Sequence, residues 1–203
     1  MKKKIGLFWL RDDFRVKNND GLIEATINHD QVVVFYVYKK EVFKNQEAQK
    51  WWLSKSLSNF RKKLNDLNIN LEIIETNSFK NFFDKLIKKN DFKIYWNKVY
   101  EPDYLKFDEY LENILKTKSI IFRKCKGNVL NEIKEIKKSD GTPFKVFTPF
   151  WRNAEKHYIE KIPSKEKIIK KCKKRMNYFK DCIEPKKVLP KNNWFKNFEK
   201  IWS

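Results

Sequence analysis

The chain has 203 residues, with 46 Lys+Arg against 26 Asp+Glu, a formal charge of +20 at pH 7. Hydrophobic residues at 41% and aromatics at 16% exclude a disordered polycation and support one sizeable core with an appendage. The 4 glycines lie too far apart for a dinucleotide or P-loop phosphate loop, and 3 cysteines and 2 histidines lack zinc or disulfide spacing.

The chain opens with Met1 and three lysines, then an apolar stretch broken at Arg11, too soon for the apolar region of a signal peptide. Ile5 to Leu10 is a continuous apolar run, the mark of a strand buried on both faces. Helical spacing follows over Asp20 to Asn28, then a second buried strand over Val32 to Tyr38. Glu47 to Leu67 reads as a long helix in which Trp52, Leu53, Ser56, Leu57, Phe60 and Leu64 share the face expected to pack on a sheet. Strands over Leu71 to Glu75, Phe92 to Trp96 and Ser119 to Phe122 alternate with helices over Phe79 to Lys89 and Pro102 to Leu115. The expected fold is therefore α/β: a five-stranded parallel doubly wound (Rossmann-like) sheet flanked by helices. In such a sheet ligands bind beyond the carboxyl ends of the strands, at the switch in strand order.

After Arg123 the alternation stops. From Lys156 to Ser203 there are 15 Lys+Arg and 5 Asp+Glu, with Pro163, Pro185 and Pro190 as breaks. This tail reads as a basic linker with short helices and little core, disordered or self-associating after about Lys161. Nothing approaches the ~18 apolar residues of a membrane span, so the expected location is cytoplasmic and no membrane partner is implied.

Three segments carry candidate chemistry. Phe8 to Leu22 leaves a strand, gathers Arg11, Asp12, Asp13 and Arg15 in a short loop, and restarts as a helix that Asn19 or Asp20 would cap. Tyr95 to Tyr104 leaves another strand end with Pro102 at the first helical position. There Asn97, Tyr100 and Glu101 either reach a planar ligand or only cap and pack. Gly141 to Arg152 is a turn followed by an aromatic cluster, for which packing is the simpler reading.

In this order and spacing the three segments resemble the amino-terminal half of the DNA photolyase and cryptochrome family. Trp9, Arg11, Asp13, Phe14, Arg15, Asn18 and Asn19 match the opening Trp-x-Arg-x-Asp-Leu-Arg and Asp-Asn pattern, with Phe14 in place of Leu. Segment 94 to 110 is similar to the Asn-x-x-Tyr-Glu-Pro element, segment 141 to 152 to the Gly-x-Pro-Tyr-x-Val-Phe-Thr-Pro-Phe-Trp signature, and Lys50 to Leu57 to a basic helix start. The resemblance implies an α/β antenna domain over residues 1–128 and an interdomain linker over 129–203. It further implies a helical FAD-binding domain, absent from these residues, which holds the dimer pocket and the tryptophan relay. No catalytic residue is therefore expected here.

What the resemblance assigns to this part is light harvesting for a cyclobutane pyrimidine dimer photolyase, by an antenna chromophore in the α/β crevice. By position the candidates for holding it are Trp9, Arg11, Val37, Tyr38, Lys50, Trp51, Asn97, Tyr100 and Glu101. Asp103 and Tyr104 stand where folate-binding members carry an Asn-Glu pair, which favours a deazaflavin or flavin over a folate. DNA is the expected partner of the full-length protein, with at most nonspecific phosphate contact by the basic tail. The alternatives are a cryptochrome-like blue-light receptor or a stand-alone flavin- or nucleotide-binding protein.

Overall fold

The computed structural model describes residues 5–129, 131, 132, 135–159 and 166–202. Five parallel strands, β1 (Ile5–Leu10), β2 (Val32–Tyr38), β3 (Asn70–Glu75), β4 (Phe92–Asn97) and β5 (Phe122–Cys125), lie in the order β3-β2-β1-β4-β5. Four helices join them: α1 (Asp20–Asn28), α2 (Glu47–Asn65), α3 (Phe79–Ile87) and α4 (Pro102–Thr117). The expected α/β sheet is thus the observed one, with its switch point between β1 and β4.

Alternation along each strand divides the core into two halves. Phe8, Leu10, Val32 and Val34 pack with Leu22 of α1 and Leu53, Leu57, Phe60 and Leu64 of α2. Leu7, Trp9, Val33 and Phe35 pack on the other face with Phe83 of α3 and Leu111 and Leu115 of α4. Both faces of β1 and β2 are therefore covered, which is why those strands are apolar without a period of two.

One strand lies later than expected. Ser119 has φ 53° and ends α4 in a left-handed turn, so pairing begins at Ile94↔Phe122 and β5 runs to Cys125. Phe-Arg-Lys-Cys is a half-exposed edge strand without an apolar run, so hydrophobicity pointed to the turn before it. Trp52 also departs from expectation: it is 67% exposed, while Leu53, Ser54, Leu57, Phe60 and Leu64 form the buried face of α2.

The basic tail contributes more core than its composition implies. Ile169, Cys172 and Val188 are buried with the α1/α2 side. Cys172 N–H donates to the Leu67 carbonyl at 2.9 Å, and Ile183 N–H to the Ile73 carbonyl at 2.8 Å, so the tail pairs with and covers the edge strand β3. Beneath it the buried Glu72 carboxylate accepts the N–H groups of Tyr178 at 3.0 Å and Phe179 at 2.7 Å. The expectation of disorder after Lys161 fails over residues 166–192, which dock by backbone bonds a solvated linker would not make; 160–165 lie outside the described residues.

Two further helices, α5 (Phe147–Ile159) and α6 (Phe195–Trp202), follow the sheet. Phe147 is 70% exposed and Trp151 48% exposed, and their rings stack 6.1 Å apart on the outside of α5. The side chain of Trp202 lies outside the described residues. Among the described residues no helix is long and apolar enough to cross a membrane.

Candidate functional site

The loop after β1 turns into the protein. The Arg11 guanidinium is buried, donates to Asp108 at 2.9 Å and to the Asn97 carbonyl, and lies between the rings of Trp9 at 4.7 Å and Tyr104 at 5.5 Å. Trp96 Nε1 donates to the same Asp108 carboxylate at 3.1 Å. Burial lowers the Arg11 pKa and raises that of Asp108, against the pull each charge exerts on the other.

Asn97 gathers the β1 loop and the start of α1. Its Oδ1 accepts the Gly21 N–H at 2.9 Å, and its amide donates to Asn19 at 2.9 Å and Asp13 at 3.2 Å. Asn19 in turn caps α1 by accepting the Leu22 N–H at 3.1 Å. Gly21 permits this approach, since a Cβ there would sit 2.5 Å from Asn97 Oδ1. These polar groups fill the crevice at the switch point and leave a void of about 10 Å³, room for one water.

A ligand-sized opening lies to one side, beyond β1 and β2 against the first two turns of α2. It measures about 680 Å³, within the range of small-molecule sites. Arg11, Asp12 and Phe14 of the β1 loop, Tyr36 of β2 and Phe43 form one wall, and Trp51, Trp52 and Ser56 of α2 another. Trp194, just before α6, and Phe198 of α6 close it: Trp51 lies 6.4 Å from Trp194 and 5.4 Å, edge to face, from Phe198. Arg11 Nε is buried and has no acceptor among the described residues, and burial raises the pKa of Asp12 beside it.

The structure distributes the nine candidate residues. Arg11 and Trp51 line this cleft, whereas Tyr38 and Lys50 line a neighbouring one beyond β2 and β3. Trp9 and Val37 are core residues on the α3/α4 face. Asn97 serves the network above, and the Tyr100 hydroxyl donates to Glu132 at 3.0 Å; burial and this partner push its pKa up to about 12. Glu101 is the exposed N-cap residue of α4 and makes no side-chain capping bond. Sequence reasoning missed Phe14, Tyr36, Phe43, Trp52, Trp194 and Phe198 as lining residues. Only the adjacent Trp51 and Trp52 offered a signal, because one amphipathic face cannot bury both.

The model of the DNA photolyase family matches residues 6–167. The chain belongs to that family. It is 26% identical over 97% of its length to a deoxyribodipyrimidine photo-lyase of Agrobacterium fabrum, covering 41% of that protein. It is also 28% identical over 80% of its length to Cryptochrome-2 of Arabidopsis thaliana, covering 27% of it. The crystal structure of a bacterial class III photolyase from Agrobacterium tumefaciens superposes with TM-score 0.80 at 25% identity, over 99% of this chain and 42% of that one. An archaeal photolyase from Sulfolobus tokodaii superposes with TM-score 0.68 at 17% identity, over 91% of this chain and 40% of that one. Its structure holds two FAD molecules and implies a novel light-harvesting cofactor. The present chain thus spans about two-fifths of the photolyases it matches.

Aromatic rings make up much of the lining of the cleft, with Arg11 and Asp12 among the polar residues there.

Proposed function

We propose that this chain is the light-harvesting part of a DNA photolyase, over residues 1–128 with a linker over 129–203, and that its aromatic cleft binds a flavin or deazaflavin. The observation that carries the reading is the cleft of about 680 Å³ lined by Trp51, Trp52 and Phe43, with Arg11 beside them. Trp51 and Trp52 would pack against the ring, and the Arg11 charge beside the cleft would favour its electron-rich edge. When bound, the pigment supplies absorption in the near-ultraviolet or blue and passes its excitation on. The protein's task is to keep the ring rigid and dry.

The two FAD molecules of the archaeal relative support a flavin over a folate. Light-driven repair of pyrimidine dimers and specific DNA contact are proposed for the longer protein, and FAD catalysis for a helical domain outside these residues. Titration with riboflavin, a deazaflavin and a folate, followed by tryptophan quenching and visible absorption, tests the reading. Saturable binding of a flavin or deazaflavin is expected, and no binding by a protein shown to be folded would overturn it. Dimer repair by the 203-residue chain alone would overturn the division of labour.

A further inference from the structure

Beside the aromatic cleft lies a second one of opposite chemistry. It measures about 730 Å³ and opens beyond the C-terminal ends of β2 and β3, next to Tyr38 and Glu75. Lys40, Lys44, Lys50, Lys187 and Lys191 line it, with Glu41, Glu47 and Glu75 as the acids. Lys50 takes up Glu47 at 2.6 Å, and the other four lysines form no ion pair among the described residues. Elsewhere lysines of this basic chain do find carboxylates, as Lys80 does at Asp84, Lys167 at Asp20 and Lys173 at Asp30. What distinguishes this cluster is its placement: five lysines from three separate segments line one concave site.

Tertiary structure assembles it. Lys40 and Lys44 come from the short 3-10 helix Lys40–Phe43 and the residue after it. Lys187 and Lys191 arrive about 150 residues later by sequence number, held against α2 by the Ser54 hydroxyl donating to the Pro185 carbonyl at 2.9 Å and by buried Val188. Ammonium groups collected in a concave site repel one another and focus a positive potential that an anion relieves.

The two clefts share a wall. Tyr38 and Phe43 stack 5.5 Å apart, Tyr38 lining the lysine cleft and Phe43 the aromatic one. The first turn of α2 is divided likewise, with Glu47 and Lys50 on one side and Ala48 and Gln49 on the other. We propose that the lysine-lined cleft is an anion site that takes the phosphate or carboxylate extension of the ligand whose ring occupies the aromatic cleft. The ring half rests on the pigment-binding reading, whereas the anion half rests on the lysine cluster alone.

Riboflavin and FMN differ only in the phosphate, so titrating both against the chain at low and high salt isolates this site. FMN is expected to bind at least about tenfold tighter at low salt, with the advantage shrinking as salt rises. Combining Lys44→Gln, Lys187→Gln and Lys191→Gln should abolish that advantage and leave riboflavin affinity unchanged. Neutralising the remote exposed Lys63, Lys116 and Lys118 to Gln should preserve it. Equal affinities for the two flavins, or an equal loss in the remote variant, would overturn the anion site while the pigment reading stands. If neither flavin binds, inorganic pyrophosphate decides: binding lost only in the cleft variant supports the anion site and leaves the ring reading refuted, and absence of binding overturns both.

Discussion

The Trp51 indole N–H donates to the Glu199 carboxylate at 2.6 Å, and Lys55 pairs with the same carboxylate at 2.7 Å. One side chain of α6 thus latches that helix to the face of α2 that walls the aromatic cleft. Both contacts hold the Glu199 pKa below the ordinary carboxylate range. A depressed acid contributes while it is charged, so the latch persists at neutral pH and is lost only as pH falls through its lowered pKa. Glu199→Ala should raise amide exchange over residues 195–202 several-fold while leaving the exchange of β1 and β2 unchanged.

Trp52 separates binding from folding. Being 67% exposed, it contributes little to the core yet forms part of the aromatic wall. Trp52→Ala should change stability by less than about 0.5 kcal/mol. It should weaken flavin binding about tenfold, the worth of one aromatic contact. Paired urea denaturation and ligand titration check both halves.

The Arg11 and Asp108 pair is buried on both sides, with side-chain exposures of 3% and 0%. Removing one charge strands the other away from water, so Asp108→Asn should cost about 3 kcal/mol, read as a lower urea midpoint with unchanged slope. The same variant loosens Arg11, which lines the aromatic cleft, and should also weaken ligand binding.

Glu72 gives a pH dependence with a definite sign. Burial raises its pKa, and the N–H groups of Phe179 and Tyr178 only partly oppose this. A carboxyl whose folded pKa is raised binds its proton more tightly in the native state, so the native state gains stability as pH falls through that raised value. The gain levels off below the unfolded value of about 4.3. The stability of the parent relative to Glu72→Gln should therefore rise as pH is lowered from 7 toward 4, measured by denaturation at a series of pH values. A difference that falls over this range would contradict the burial of Glu72 under the tail.

Phe147 and Trp151 present a stacked apolar pair to solvent on α5. Exposed apolar patches favour association. The chain should sediment as a concentration-dependent mixture, and Phe147→Ser with Trp151→Ser should shift it toward monomer with little change in thermal midpoint.

Much of the fold was legible because both faces of the central strands are covered. Ile5 to Leu10 and Val32 to Tyr38 carry unbroken apolar runs that only a two-sided sheet buries, and the helices between them carry their own period. β5 was misplaced because an edge strand needs no such run. The charges of the Arg11 loop were placed at a strand end, and Asn19 or Asp20 was expected to cap α1; Asn19 does so. Asn97 was among the ligand candidates, yet the structure spends its hydrogen bonds on the α1 start and the Asp13 loop. Residue type and strand position are the same for both uses, so only the distances separate them.

The sequence by itself determined the layered α/β architecture and the family, since periodicity, strand apolarity and motif order are local properties of the chain. The tertiary structure alone decided where a ligand can sit. The aromatic cleft and the lysine cleft both depend on the tail, which brings Trp194, Phe198, Lys187 and Lys191 back to a helix that begins at residue 47. No local pattern reports a contact across some 140 residues, because it exists only once burial of Ile169, Cys172 and Val188 has drawn the basic tail around the sheet edge.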